Sequence, residues 1–295
     1  MKNAIATLLL LFGSAAFPAN ALDVVATAPS MGALARTVGA DRVQVKVLAP
    51  PDRDLHRLQA RPSMIRDLRS AELVLALGAE LESGWLPAAI SAAANPKILP
   101  GQPGYFEAAA QVGLLDTGGP ADRARGDVHP VGNPHLDLDP VRMAQVAQAL
   151  AERLAILDPA GAGDYRRRAD AFADQVQVRV TDWSGRLAGA PGVVLYHRDA
   201  IYLLDRFRVP LLGTIEPIPG VPPTGRQLSE LAGGLKGHKG VILYATYQSP
   251  QPPQTLAREL GWQAKALPLE PPADADGKGY LDHIGRWVDA AAVSP

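Results

Sequence analysis

The chain holds six histidines and no cysteine, so a metal centre here can draw only on imidazole and carboxylate. Three histidines, His56, His135 and His197, stand where a strand-like run has ended or a loop begins. In open α/β sheets that is where ligands collect, beyond the carboxyl ends of the strands. A carboxylate candidate, Glu270, ends the run Leu267-Pro268-Leu269-Glu270, and Asp274 and Asp276 follow in the same loop. Three imidazoles with one carboxylate suit tetrahedral Zn(II) at about 2.0–2.2 Å. A lone histidine after a strand is more often a hydrogen-bonded loop residue, so these types and positions alone leave both readings open. The lack of cysteine excludes disulfides, thiolate catalysis, cysteine-type zinc fingers and iron–sulfur ligation. No His-Glu-x-x-His, Gly-x-Ser-x-Gly, P-loop or Gly-x-Gly-x-x-Gly sequence occurs.

The elements that must position these residues alternate. Strand-like runs at 23–27, 43–48 and 73–77 are separated by helical spacing at 31–38 and 63–68. After a helix predicted from the Asp139-Pro140 start, with Met143, Val146, Leu150, Leu154 and Leu157 on one face, the alternation resumes. Strands are predicted at 193–196, 209–212, 241–245 and 263–269, and helices at 200–207, 227–235, 254–260 and 279–292. This pattern predicts an α/β fold of two lobes with mostly parallel sheets. Between the lobes, Tyr165, Ala169, Phe172, Val176, Val180, Trp183 and Leu187 step by three and four, a helix of roughly 35 Å. It either joins both lobes or packs within one. Residues 113–134, rich in Gly, Pro and Asp, read as a long loop. The expected division is 1–21 leader, 22–158 first lobe, 159–189 linking helix and 190–295 second lobe.

The leader reading rests on Lys2, the apolar run from Ala4 to Phe12, and Ala19-Asn20-Ala21, the pattern of a secretory signal peptide cleaved before Leu22. No cysteine near that point could accept a lipid, so a soluble periplasmic protein is expected. With 29 Lys and Arg against 30 Asp and Glu, and a net charge of -1, no broad electrostatic footprint for nucleic acid or an anionic membrane exists.

Five segments, in order, resemble the metal-specific solute-binding proteins of bacterial ABC transporters (cluster A-I), which deliver zinc or manganese. Asp54-Leu55-His56, with Pro62 and Ser70-Ala71-Glu72-Leu73-Val74, resembles the first-ligand loop and following strand, and Gly78-x-x-x-Glu82-x-x-Trp85 the stretch after it. Asn133-Pro134-His135-Leu136-Asp137-Leu138-Asp139-Pro140 resembles the second-ligand motif. Tyr196-His197-Arg198-Asp199-Ala200 with Tyr202 resembles the third, and Tyr244-Ala245-Thr246-Tyr247-Gln248 the later strand. The resemblance implies two α/β lobes joined by one long helix with metal in the cleft, His56, His135 and His197 as ligands, and Glu270 as the fourth, with Asp274 or Asp276 as alternatives because Leu269-Glu270-Pro271-Pro272 departs from the usual Asp-containing loop. It implies a non-enzymatic protein that hands Zn(II) to a membrane permease, with a periplasmic metallochaperone as a candidate loading partner and monomer as the default state. Imidazole-rich ligation favours Zn(II) over Mn(II).

Two other classes compete: a periplasmic zinc hydrolase with three His and an open water position, and a binder of a metal chelate of siderophore type. Of the remaining histidines, His129 lies in the long loop as either a solvated residue or a transient metal contact, His238 reads as an exposed turn residue and His283 as a packed helix residue.

Overall fold

The structure, a computed structural model, describes residues 21–118, 126–127 and 129–292; the leader expectation for residues 1–20 lies outside them. Strands β1 (Leu22–Ala26), β2 (Val43–Val47), β3 (Leu73–Ala76) and β4 (Tyr105–Glu107) form a parallel sheet in the order β2-β1-β3-β4. Strands β5 (Val193–Leu195), β6 (Leu211–Thr214), β7 (Val241–Ala245) and β8 (Gln263–Leu267) form a second in the order β6-β5-β7-β8. The central strands β1, β3, β5 and β7 are nearly continuous apolar runs because both their faces are covered, whereas edge strands β2 and β8 mix exposed and buried positions.

Helices α1 (Pro29–Gly39), α2 (Pro62–Ser70) and α3 (Leu86–Ala93) belong to the first half, and α6 (Ile201–Phe207), α7 (Gly225–Leu235), α8 (Gln251–Leu260) and α9 (Gly277–Ala291) to the second. Proline in the first turn starts α1, α2 and α3, where its missing N–H costs nothing. Between the sheets run α4 (Pro140–Leu157), capped by the Asp139 carboxylate on Val141 N–H at 2.9 Å, and α5 (Ala162–Leu187).

At 26 residues α5 is about 39 Å long. It packs along α1 and α4 from the first half and α6 and α9 from the second. Phe172 meets Tyr280 of α9 at 6.1 Å between centroids, and Trp183 meets Phe207 of α6 edge-on at 6.3 Å. The apolar stripe of α5 therefore covers both halves. One continuous core joins β1, β3, α1, α4, α5 and α9 to the Val193, Leu195, Val241 and Leu243 face of the second sheet. The alternate residues Val194, Tyr196, Ile242 and Tyr244 point to a separate core with Leu228 and Leu256, as the period of two in a strand requires.

Three expectations change. The strand predicted at 209–212 runs from Leu211 to Thr214, since Pro210 lacks an N–H and the pairing with β5 shifts register at Val193/Val194. Strand β4, three residues long, and α3, a short Leu86-Pro87 start, carried too little periodicity to be predicted. Among the described residues of 113–134 there is no α-helix or strand.

Candidate metal centre

In both sheets the chain order reverses beside a central strand, β1 against β3 and β5 against β7, and the crevice beyond the strand ends at such a point is where ligands bind. The first crevice is organised by Glu82, whose buried carboxyl accepts from Thr27 Oγ1 at 2.7 Å and from the N–H groups of Leu77 and Gly78 at 2.9 and 3.1 Å. It ties the ends of β1 and β3 together. Burial raises its pKa against the opposing pull of those donors. Three residues on, Trp85 donates from Nε1 to Leu55 O at 2.9 Å, pinning the single turn Leu55–Arg57 that carries His56. The Gly-x-x-x-Glu-x-x-Trp stretch thus acts as a bracket for the first histidine.

His135 is placed by its own motif. Asn133 Oδ1 accepts from His135 N–H at 3.0 Å, which identifies that atom as the oxygen, and also meets His135 Nδ1 at 3.1 Å. Asn133 Nδ2 donates to Arg198 O at 2.9 Å, and Tyr202 Oη donates to Asn133 O at 2.6 Å. Asp139 takes a two-pronged contact from Arg206 of α6 at 2.9 and 2.8 Å. The segment from Asn133 to Asp139 is therefore clamped to the second half of the molecule, beside His197, which follows β5.

The three histidines converge. Ring centroids are 5.2 Å apart for His56–His135, 5.8 Å for His56–His197 and 5.4 Å for His135–His197, and one nitrogen from each lies within 4.8 Å of the others. Each ring is held through Nδ1 by an oxygen: Asp54 Oδ1 at 2.8 Å for His56, Asn133 Oδ1 at 3.1 Å for His135 and Glu216 Oε2 at 2.9 Å for His197. An acceptor there places the proton on Nδ1 and leaves the Nε2 lone pair for a metal. Burial, then the neighbouring rings of His56, His197 and His129, push His135 well below the usual histidine range. Burial pulls His197 the same way, but the Glu216 hydrogen bond and the Asp199 charge outweigh it and leave His197 raised. For Asp54, burial is outweighed by hydrogen bonds from the His56 ring and N–H, which hold it below the ordinary carboxylate value.

Glu270 lines a void of about 10 Å³ together with His56, His135, Asp137 and Tyr247, room for no more than about one water. Its Oε2 accepts from Ser30 N–H at 2.8 Å, and its carboxyl pairs with that of Asp137. Burial and the Asp137 charge raise Glu270 well above the carboxylate range, and burial raises Asp137 to about 6. Glu270 is outside the group of three converging ligands, as are the two alternatives. Asp276 caps α9 through Gly279 N–H at 2.9 Å, and Asp274 is exposed beside Arg36. His283, buried on α9, donates from Nε2 to Leu269 O at 3.0 Å, and burial lowers it to about 4, so it acts as a strut behind Glu270. His238 is exposed. On the solvent side, His56 and His197 open onto a cleft of about 630 Å³ that Asp54, Asp127 and Glu216 also line.

The sequence reading passed over Glu216 and gave Asp54 no role. Glu216 stands just past β6, the same strand-end position that singled out the histidines, whereas its contact with His197 depends on the pairing of β5 with β6. No helix among the described residues is long and apolar enough to cross a membrane.

Residues 24–292 match the family described as "Zinc-uptake complex component A periplasmic" (ZnuA). The chain is 25% identical over 263 residues to the high-affinity zinc uptake system protein ZnuA of Yersinia pestis, covering 84% of this chain and 82% of that protein. A crystal structure of ZnuA superposes with a TM-score of 0.77 at 22% identity, over 92% of this chain and all (100%) of the other. The solute-binding protein FpvC of Pseudomonas aeruginosa in complex with Mn2+ gives a TM-score of 0.75 at 25% identity, covering 92% and 97%. With the family match running through nearly the whole described chain and both lobes reproduced, the protein belongs to the ZnuA family of metal-binding periplasmic solute-binding proteins, cluster A-I.

Proposed function

We propose that this protein captures Zn(II) between its two lobes and delivers it to an ABC permease, with no catalytic step of its own. The observation that supports this best is the set of three imidazoles, His56, His135 and His197, each with Nδ1 anchored to a separate oxygen and Nε2 left to converge. Neutral imidazole is a better partner for Zn(II) than for the harder Mn(II), and anchoring of this kind raises ligand basicity and fixes the ring. Two groups border a fourth position: Glu270 on the inner wall, the ligand expected by resemblance, and His129 on the outer. The ion would enter from the open cleft, where the carboxylates of Asp54, Asp127 and Glu216 attract a cation.

The protein acts as a monomer, and a metallochaperone or the permease would approach over that cleft. The lobes 22–158 and 190–295 and the linking helix within 159–189 form the frame that fixes ligand spacing. The test is a competition titration of the metal-free protein against a chelator, with Zn(II) and Mn(II) in turn. One tight zinc equivalent, much weaker manganese and a large loss in His197→Ala are expected. Equal zinc affinity in the variant would reject the site. Delivery is checked by zinc uptake into vesicles carrying the permease.

A further inference from the structure

We infer that Tyr247 sets the metal preference of this protein: its ring is the partition that keeps the Glu270 carboxyl away from the three imidazoles. This rests on the zinc-capture reading above and names the residue that decides which ion the same site favours.

Two spaces meet at the histidines. The open cleft reaches His56 and His197 but not Glu270, whereas the void of about 10 Å³ reaches His56, His135 and Glu270 but not His197. Among the described residues of the second half, Tyr247 alone lines both spaces; the others that share this boundary, Asp54 and His56, come from the first half. His129 lines neither space: on the outer side its Nε2 stands 3.1 Å from His56 Nε2 and its Nδ1 faces Ala79 O at 3.1 Å. The route from Glu270 to the converging imidazoles therefore passes the ring of Tyr247.

That ring is held in place from two directions. Strand β7 ends at Ala245, and Gln248 closes the turn after it, donating from its N–H to Ala245 O at 2.9 Å and accepting on Oε1 from Ala245 N–H at 2.7 Å. Gln248 Nε2 donates to Asp199 Oδ2 at 3.1 Å, two residues beyond His197, and Thr246 N–H donates to Leu267 O at 2.9 Å, three residues before Glu270. The turn that carries Tyr247 is thus tied to the segment of His197 on one side and to that of Glu270 on the other. Its side chain, half-buried, packs against the main core, and no described residue hydrogen-bonds its hydroxyl. Tyr247 is positioned by its ring, and it acts by filling space.

The chemistry on the two sides differs. Glu270 is drawn back from the site by Ser30 N–H, in the first turn of α1, at 2.8 Å and by its pairing with Asp137. A void with room for about one water does not let a carboxyl turn while the ring stays. Three imidazoles without a protein carboxylate favour Zn(II), and each carboxylate added moves the preference toward harder ions such as Mn(II). By keeping the acid pair behind it, Tyr247 makes the site selective without touching the ion.

The experiment is chelator competition with Zn(II) and with Mn(II) on the full mature chain, for the native protein, Tyr247→Phe, Tyr247→Ala, Glu270→Gln and the double variant Tyr247→Ala with Glu270→Gln. Tyr247→Ala should narrow the zinc-over-manganese affinity ratio by roughly tenfold or more, because Glu270 can then reach the ion. Adding Glu270→Gln should restore the ratio, and Tyr247→Phe and Glu270→Gln alone should keep it at the native value. A native ratio in Tyr247→Ala, a narrowed ratio that survives Glu270→Gln, or a changed ratio in Tyr247→Phe or in Glu270→Gln alone would each overturn the assignment while leaving zinc capture intact. Native protein without a tight zinc equivalent would remove the capture reading itself. Thermal melts of the metal-free proteins check folding, and Tyr247→Leu replaces Tyr247→Ala if the latter melts early.

Discussion

The two walls of the metal centre are both made of titratable groups held in the loops and turns between elements, yet they are built in opposite ways. On the outer wall, facing the 630 Å³ cleft, every imidazole is paired with an oxygen that fixes its tautomer: Asp54 with His56 and Glu216 with His197. On the inner wall, Asp137 and Glu270 face each other around a void of about 10 Å³, with their carboxyl pKa values pushed upward by burial. The first arrangement stores lone pairs for a cation. The second stores a proton between two acids and stays sealed, with Tyr280 Oη on Asp137 O at 2.6 Å and His283 on Leu269 O closing it from α9. Buried polar groups therefore do different work depending on whether their partners leave an orbital pointing at open space.

The sharpest way to break this contrast is to remove one imidazole. Dividing the roughly 10–16 kcal/mol typical of a four-ligand zinc site gives about 2.5–4 kcal/mol per ligand, so His135→Ala should lose zinc affinity on the order of 10²- to 10³-fold in chelator competition. A loss below tenfold would mean that the imidazole wall is not the ligand set.

Smaller, and directed at the anchors, is the effect of Glu216→Gln. Protons and zinc compete for His197, whose raised pKa makes zinc affinity fall as pH drops through a value above the ordinary 6.5. Without the Glu216 charge that value moves down, so the midpoint of the pH profile should shift to lower pH. Affinity at pH 8 should weaken about 10- to 100-fold because the ring is less basic and less fixed. An unmoved midpoint would show that Glu216 does not tune the site.

The smallest effect concerns the inner wall and is read on the zinc-free protein. Asp137, raised from about 3.8 to about 6, binds more protons folded than unfolded between those values, so its contribution to stability is present at low pH and lost as pH rises through about 6. Asp137→Asn removes that loss while keeping a polar partner for Glu270. Relative to the native chain, its melting temperature should therefore rise on going from pH 4 to pH 7, by a few degrees for each ~1 kcal/mol recovered. A pH-independent difference would mean that this carboxyl titrates normally.

Much of this was legible in the chain itself. The continuous apolar runs that became β1, β3, β5 and β7, the proline starts of α1 and α2, and the stripe from Tyr165 to Leu187 all announce a two-sheet α/β molecule with a long helix, because burial on both faces or on one face leaves a period in the residues. His56 and His197 stood out because strand ends are visible as the point where that period stops, and His135 because it lies just before the Asp139-Pro140 helix start. Glu216, Ala79 and Ser30 left no such mark. Each matters through one atom presented to a residue far along the chain: 19 positions from Glu216 to His197, 50 from Ala79 to His129 and 240 from Ser30 to Glu270.

The difference has a physical cause. Sequence by itself determined the number and kind of elements, the absence of thiol chemistry and the small set of histidines able to meet a metal, since these follow from side-chain type and local spacing. Only the tertiary structure decided which nitrogen of each ring faces inward, which carboxyl is an anchor and which is a sealed acid pair, and that a loop histidine stands beside His56. Those outcomes depend on hydrogen-bond partners brought together by strand pairing and helix packing, whose directions no local pattern records.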